Sequence, residues 1–367
     1  MIKFLDLQKI NAPYKAQFQQ KLETVINNSQ YILGTEVAEF ESNFAKFCGT
    51  TFCLGTANGL DALSLILKAY IHLGRLQVGD EVLVPGVTFI ATAQAVVNVG
   101  LEPVFVEPDA LSYNVTAETL EPQINSNVKA IVVVHVYGQL ADMPSLEALA
   151  SKHNLLLIED AAQAHGAVCP SNGKRAGSFG NAAAFSFYPT KNLGALGDAG
   201  AITTNDLALY ECVRKMRNYG SSEKYRHEIY GVNSRLDEIQ AAFLNVKLPF
   251  LDVANSARQS IAARYLNEVK NDNIKLPKIA HKNAHVFYVF AIRVANRPDF
   301  SAYLEANKIE YVIHYPTPIH KQIAFSKYKN LNLPITEAIH ASVVSIPISP
   351  IMEYEQVSDV IKALNAY

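Results

Sequence analysis

The residues with most chemistry to offer fall in two stretches of the chain. In LLLIEDAAQAHG, a strongly apolar run ends in Glu159 and Asp160, with Gln163 and His165 just beyond. A run apolar on both faces fits a strand inside a parallel sheet, and ligand sites in such sheets lie beyond the carboxyl ends of the strands. Asp160 at that point is a helix cap, a metal ligand or a cofactor anchor. Taken alone, the cap is the plainest reading, and Gln163 and His165 are as readily satisfied polar residues. In AAAFSFYPTKNLGALGDAGA, a strand over 182–186 runs into Tyr188-Pro189-Thr190-Lys191 and then a segment carrying Gly194, Gly197 and Gly200. A lone lysine is usually a surface residue. This one is enclosed by small and apolar neighbours, and burial lowers an amine's pKa, leaving it able to form an imine with a carbonyl. No GxxxxGK[ST] surrounds it, so it is not a phosphate-loop lysine.

A third stretch, GTANGL, puts Gly55, Thr56, Ala57, Asn58 and Gly59 between a strand and a helix. Free amides at a helix N-terminus attract anions; an ordinary helix capped by Asn58 is the alternative. Together, a phosphate cradle, an acid at a strand end and an enclosed lysine are the parts that pyridoxal phosphate chemistry requires. The acid keeps the ring nitrogen protonated, and the lysine holds the aldehyde as an imine.

Positioning these groups takes an alternation of strands and helices. Strands are expected at 51–55, 81–85, 103–107, 130–135, 155–159, 182–186 and 199–203, and helices at 59–72, 88–98, 145–152 and 207–217. Strand–helix–strand order implies parallel pairing with right-handed crossovers. The fold class is α/β: a mainly parallel seven-stranded sheet between helices, plus a smaller C-terminal α+β domain. A helix is expected over Pro13–Asn28. Another begins near Leu236, is broken at Pro249 and resumes through SARQSIAARYLNEV. Its apolar face, Ile239, Ala242 and Phe243, reads as larger than one chain would bury. Beyond it, HVFYVFAIRV and IEYVIHY read as strands, and PDFSAYLEAN and EYEQVSDVIKALNAY as helices. The division falls at residue 250, with a large domain over 1–250 and a small one over 251–367.

At 367 residues, 49% hydrophobic and 18% charged, the chain has ample material for a core and is not a disordered one. Its net charge of −2 gives no bulk attraction to nucleic acid or to an anionic membrane. No apolar run is long enough to span a bilayer, and the N-terminus lacks the apolar core of a signal peptide. Cys48, Cys53, Cys169 and Cys212 show no CxxC spacing, so reduced thiols in a cytoplasmic protein are expected. No motif supports a metal site. A nucleotide-binding oxidoreductase is disfavoured because no GxGxxG lies between strand and helix.

Several motifs carry a resemblance: YILGTEVAEFE, GTANGLDAL, PGVTFIATA, EDAAQAHGA, FSFYPTKNLGALGDAGA, GVNSRLDEIQAA, HYPTPIHKQ and SIPISP, in order along nearly the whole chain. The chain resembles the DegT-type sugar aminotransferases of the aspartate aminotransferase fold (fold type I). The resemblance implies that Lys191 binds pyridoxal 5′-phosphate, which passes through its pyridoxamine form, and that Asp160 pairs with the ring nitrogen. Gln163 would reach the phenolic oxygen and Phe89 would cover the ring. Ser186 and the Thr56–Gly59 segment, with the amides of Ala57–Leu60, would hold the phosphate. Asn233 would reach the phosphate of a neighbouring subunit, making the working unit a homodimer with composite sites. Relatives often have Ser-Gly-Thr where this chain has Asn58-Gly59-Leu60, which removes a hydroxyl. Relatives with His in place of the lysine are dehydratases, and Lys191 argues against that branch. Gln163 and the segment after Lys191 are similar to enzymes that aminate C3 of a dTDP-linked 3-keto-6-deoxyhexose with L-glutamate as donor. C4 amination of a dTDP- or UDP-4-keto sugar, and a non-catalytic relative binding cofactor or sugar nucleotide, are the alternatives. Candidate substrate contacts are Tyr188, Lys224, Arg226, His227, Tyr315 and His320, with His314 beside them; exposed loop histidines and a solvated basic loop are the competing readings.

Overall fold

The computed structural model describes residues 1–279 and 281–367. Seven strands form one sheet: β1 (Phe52–Thr56), β2 (Glu81–Pro85), β3 (Glu102–Val106), β4 (Val128–Val134), β5 (Leu156–Asp160), β6 (Ala182–Ser186) and β7 (Gly200–Thr204), in the order β1-β7-β6-β5-β4-β2-β3. The pairings from β3 through β6 are parallel. β7 is antiparallel to both neighbours, with Ser186 opposite Gly200 and Thr56 opposite Gly200 on the other side. The cause lies in the connection. β6 leads into β7 without a crossover helix, so the chain can only turn back beside itself. Six strands therefore point the same way, and Thr56, Asp160 and Ser186 end at one edge of the sheet.

Both faces of the sheet are covered. Ala130 and Val132 of β4 join Val82, Val84, Leu65 and Ile66 in one core. Ile131 and Val133 join Leu83, Phe40, Phe44 and Leu244 in the other. This two-residue alternation between two apolar layers explains why the strands carry no polar face. The helices Gly59–His72 and Leu207–Met216 lie on the first side. Met143–His153, Thr35–Cys48 and Glu238–Lys247 lie on the second.

Pro249 sits in a single 3₁₀ turn, Leu248–Phe250, between the helices Glu238–Lys247 and Leu251–Glu268. The helix before it does not leave its apolar face for a partner. Ala242 and Phe243 are buried in the chain itself, with the Phe18 ring 5.0 Å from that of Phe243, and Ile239 is half-buried. The N-terminal helix Lys15–Asn28, one 3₁₀ turn shorter than expected, supplies that cover.

A hairpin, β8 (Ser221–Glu223) and β9 (Arg226–His227), stands apart from the sheet. A second, antiparallel sheet is built from β10 (Ile274–Lys275), β11 (Phe290–Val294) and β12 (Val343–Ile346). Its core joins Tyr265, Phe290, Phe300, Val344 and Leu364. HVFYVFAIRV is thus a strand only in its second half. IEYVIHY is not a strand: Ile309 and Val312 make single bridges to Ile2 and Ser345. β11 takes the centre of the small sheet, and β12 lies at its edge, where Val312 makes an isolated bridge to Ser345. No described helix is long and apolar enough to cross a membrane, and all four cysteines are buried and free.

Candidate active site

A cavity of about 660 Å3 opens at the edge where β1, β5 and β6 end. Lys191 stands on one side of it, in the turn that follows β6, its backbone N–H donating to the Tyr188 carbonyl at 2.8 Å. Its Nζ lies 4.3 Å from the centre of the Tyr288 ring, an aromatic face that attracts the ammonium.

Asp160 faces the same cavity from the end of β5 and is 7% exposed. Its Oδ2 accepts from the Thr92 hydroxyl at 2.7 Å and its Oδ1 from the Ala162 N–H at 3.2 Å. Thr92 is bonded in turn to Thr88, oxygen to oxygen at 2.7 Å. Burial pushes the Asp160 carboxyl above its usual range, and the two donors and the charge of Lys191 pull part of the way back. The helix-cap reading fails, since no helix follows β5 directly.

Gln163 is buried beside it. Its Oε1 accepts from the Tyr137 N–H at 2.6 Å, and its Nε2 donates to the Tyr315 hydroxyl at 2.8 Å. Burial pushes the Tyr315 hydroxyl well up, so it is present as O–H. His314 lines the cavity as well. Its Nδ1 is 3.0 Å from the Ser345 hydroxyl, and burial with the nearby Lys191 charge brings its pKa down to about 4. It is therefore neutral at physiological pH. His165 does not line the cavity. It is fully buried between the Phe185 and Phe187 rings, and burial brings its pKa down to about 3.

The start of the helix Gly59–His72 forms another wall. Asn58 caps it, its side chain accepting from the Asp61 N–H at 2.8 Å. A Cβ on Gly59 would come within 2.8 Å of Ser186 Cβ, and one on Gly200 within 2.4 Å of the Asn58 carbonyl carbon. Glycine at both positions is what lets β6 and β7 approach the helix start. Two of the expected phosphate groups are engaged inside the chain. The Thr56 hydroxyl donates to the Asn58 carbonyl and the Ala57 N–H to the Ser234 hydroxyl. Asn58, Gly59, Leu60 and Ser186 face the cavity.

Phe89 caps the helix Ile90–Asn98 with its ring 52% exposed, 5.3 Å from the Tyr315 ring across the cavity. Tyr188 also lines it. The remaining expected residues lie elsewhere. Lys224, Arg226 and His227 are on the exposed hairpin, and Asn233 is an exposed residue whose Nδ2 donates to the Tyr219 hydroxyl. His320 is not a loop histidine: it is fully buried, with Nε2 3.0 Å from Glu337, and does not reach the cavity. Conversely, Thr88, Thr92, Gln94, Asp198 and Tyr288 line the cavity or support Asp160. Thr88 and Thr92 had a signal in the sequence, since hydroxyls four apart at a helix start lie on one face.

An acid and an amine facing one cavity at the strand ends of this α/β architecture define the fold type I aminotransferase class. The chain belongs to the DegT/DnrJ/EryC1/StrS aminotransferase family, whose model matches residues 13–365. It is 52% identical over its whole length, and over 99% of the relative's, to a dTDP-3-amino-3,6-dideoxy-alpha-D-galactopyranose transaminase of Aneurinibacillus thermoaerophilus. The solved structure of DesV from S. venezuelae superposes with a TM-score of 0.95 at 40% identity, covering 100% of this chain and 98% of that one. NtdA from Bacillus subtilis, solved with bound cofactor PMP, gives a TM-score of 0.89 at 27% identity, covering 98% and 83%.

Proposed function

We propose that this protein transfers the amino group of L-glutamate to C3 of a dTDP-linked 3-keto-6-deoxyhexose, with pyridoxal 5′-phosphate as cofactor and a homodimer as working unit. The observation that carries the reading is the convergence of Lys191 and the buried Asp160 on one cavity. The C3 position and the dTDP group rest on the A. thermoaerophilus relative.

The residues present fit the cofactor. Asp160 is a buried carboxylate with only neutral donors bonded to it, and it is suited to receive an N–H from a pyridinium. Asn58, Gly59, Leu60 and Ser186 border a helix N-terminus that favours a phosphate. When bound, the cofactor supplies an aldehyde that takes up the amino group and a ring that draws off electrons.

The chain's own groups do the rest. Thr92 and the Ala162 amide fix the orientation of the Asp160 carboxylate, and burial strengthens any charge partner it meets. The Lys191 amine takes the proton from Cα of glutamate in one half-reaction and delivers one to C3 of the sugar in the other. Tyr288 holds its side chain at the cavity between the two. The Tyr137 N–H and the Tyr315 hydroxyl lock the Gln163 amide, so the group beside Asp160 is preorganised. His314, being neutral, adds no charge to compete with Lys191.

The test is incubation of the purified protein with L-glutamate and, separately, a dTDP-3-keto and a dTDP-4-keto sugar, with products resolved by NMR. A yellow protein that bleaches with L-glutamate and yields a 3-amino sugar is expected. Amination only at C4 sinks the regiochemistry; a colourless protein that aminates nothing sinks the whole reading.

A further inference from the structure

Behind the turn that carries Lys191 lies a second cavity, of about 210 Å3, which shares Thr190 and Lys191 with the first as a common wall. Two buried cations line it. Lys247, at the end of the helix Glu238–Lys247, donates from Nζ to the Gly194 carbonyl at 2.5 Å and to Asn11 Oδ1 at 3.2 Å. Arg258, on the helix Leu251–Glu268, is 3% exposed, and its Nε and Nη1 meet no acceptor. No aspartate or glutamate is among the residues that line the cavity.

Two like charges buried without a counter-charge are unfavourable, and either an anion or loss of a proton relieves them. Lys247 can take the second route, since burial and the neighbouring Arg258 bring its pKa down to about 8. Arg258 cannot at neutral pH: burial lowers it only to about 10. It remains a guanidinium with buried donors left unused at Nε and Nη1, and a carboxylate oxygen that meets either makes a charge-assisted hydrogen bond. Apart from Thr190, Lys191 and Asn192 the other walls are mostly apolar, with Leu7, Ile10 and Ile351 among them. They favour an acid with a short hydrocarbon body over a phosphate. We propose that this cavity is a binding site for a small carboxylate, held by Arg258 with Lys247 as the second cation. The carboxylate belongs either to a free monocarboxylic acid or to the dicarboxylic amino donor.

The probe is sodium acetate, added to the full-length protein with cofactor bound, against sodium chloride at equal ionic strength. Thermal melting and calorimetric titration read the result, so turnover is not needed. A saturable, acetate-specific rise in the melting midpoint is expected. R258Q should weaken acetate binding by about tenfold or more, as loss of a buried charge-assisted contact does. Should R258Q fold poorly, A254F fills the cavity while keeping both cations, and it should abolish the acetate effect. Adding L-glutamate in competition separates the sources: displacement of acetate assigns the carboxylate to the donor, and independent effects assign it to a free acid. Either result supports the site. No saturable effect of acetate, or the same effect in R258Q and A254F as in the wild type, overturns the proposal.

Discussion

Asp160 illustrates how a single residue can be a burden to the fold and an asset to the chemistry. Its carboxyl is raised above the usual range by burial, so the folded chain holds that proton more tightly than the unfolded chain does. For such a group the stabilising contribution is present below the unfolded pKa of about 3.9 and lost as pH rises through the folded one. In the cofactor-free protein at neutral pH, the ionised Asp160 should therefore cost stability. Asp160→Asn without cofactor should melt above the wild type at pH 7, with the gap closing as the pH falls toward 4; a variant that melts lower at pH 7 contradicts this. With cofactor the same change should slow bleaching by L-glutamate by on the order of 100-fold in a single turnover, because an amide cannot serve a protonated ring nitrogen. Lys191→Ala should abolish transamination while keeping the melting midpoint close to that of the wild type. Retained turnover would remove Lys191 from its role. Thr92, which holds Asp160 at 2.7 Å, is a positioning residue, and Thr92→Val should lower the rate less than Asp160→Asn does.

The elements that hold these residues differ in how far the sequence exposes them. The strands of the large sheet are legible because Val82–Val84 and Ala130–Val133 are buried on both faces, which demands uninterrupted apolar runs. β12 is four residues long, and nothing in VVSIP separates it from a loop; its partner across the small sheet decides it. IEYVIHY has the composition of a strand, yet it makes only single bridges, Ile309 to Ile2 and Val312 to Ser345 on the outer edge of β12. Likewise His320 reads as a loop residue until Glu337, on the helix Pro334–Ser342, folds against it. That helix is tied to the large sheet by Glu107, which follows β3 and accepts from the N–H groups of Ile335 and Thr336, both at 2.8 Å. Glu107→Ala frees the first turn of the helix and should cost about 1–2 kcal/mol in denaturant unfolding, the size of a lost N-terminal cap. An unchanged midpoint would mean that the apolar contacts alone seat the helix. Gly59→Ala tests the cradle: the added Cβ meets Ser186 at 2.8 Å. Overpacking of about 1–3 kcal/mol and weakened cofactor retention in gel filtration are both expected.

At the scale of the whole molecule, the near-neutral charge gives no long-range field to gather an anionic sugar nucleotide, so the grip must be local. The described cavity offers few cations for it besides Lys191. The basic hairpin with Lys224, Arg226 and His227 lies outside that cavity, as does Asn233. The surface around them is unusually aromatic: Tyr225 is 86% exposed, Tyr230 94% and Tyr219 51%. Tyr31 and Ile32 adjoin through the bridge from Ile32 to Asp237. Exposed aromatic side chains such as these suit the interface of the proposed homodimer. The proposed composite site needs a second copy that carries Asn233 to its neighbour's cavity, and an isologous dimer would do so twice. This motive replaces the helix face of Ala242 and Phe243, which the chain buries for itself. If Asn233 acts across the interface, Asn233→Ala and Lys191→Ala homodimers should each be impaired. A mixed dimer then has one site with both defects and one intact site. Random exchange makes roughly half of the dimers mixed, so activity per protomer should return to roughly a quarter of the wild-type value. Mass spectrometry under native conditions would verify the exchange. Mixed dimers with no recovered activity would put Asn233 back in its own subunit's site, and a monomer in the same spectrum would remove the composite site altogether.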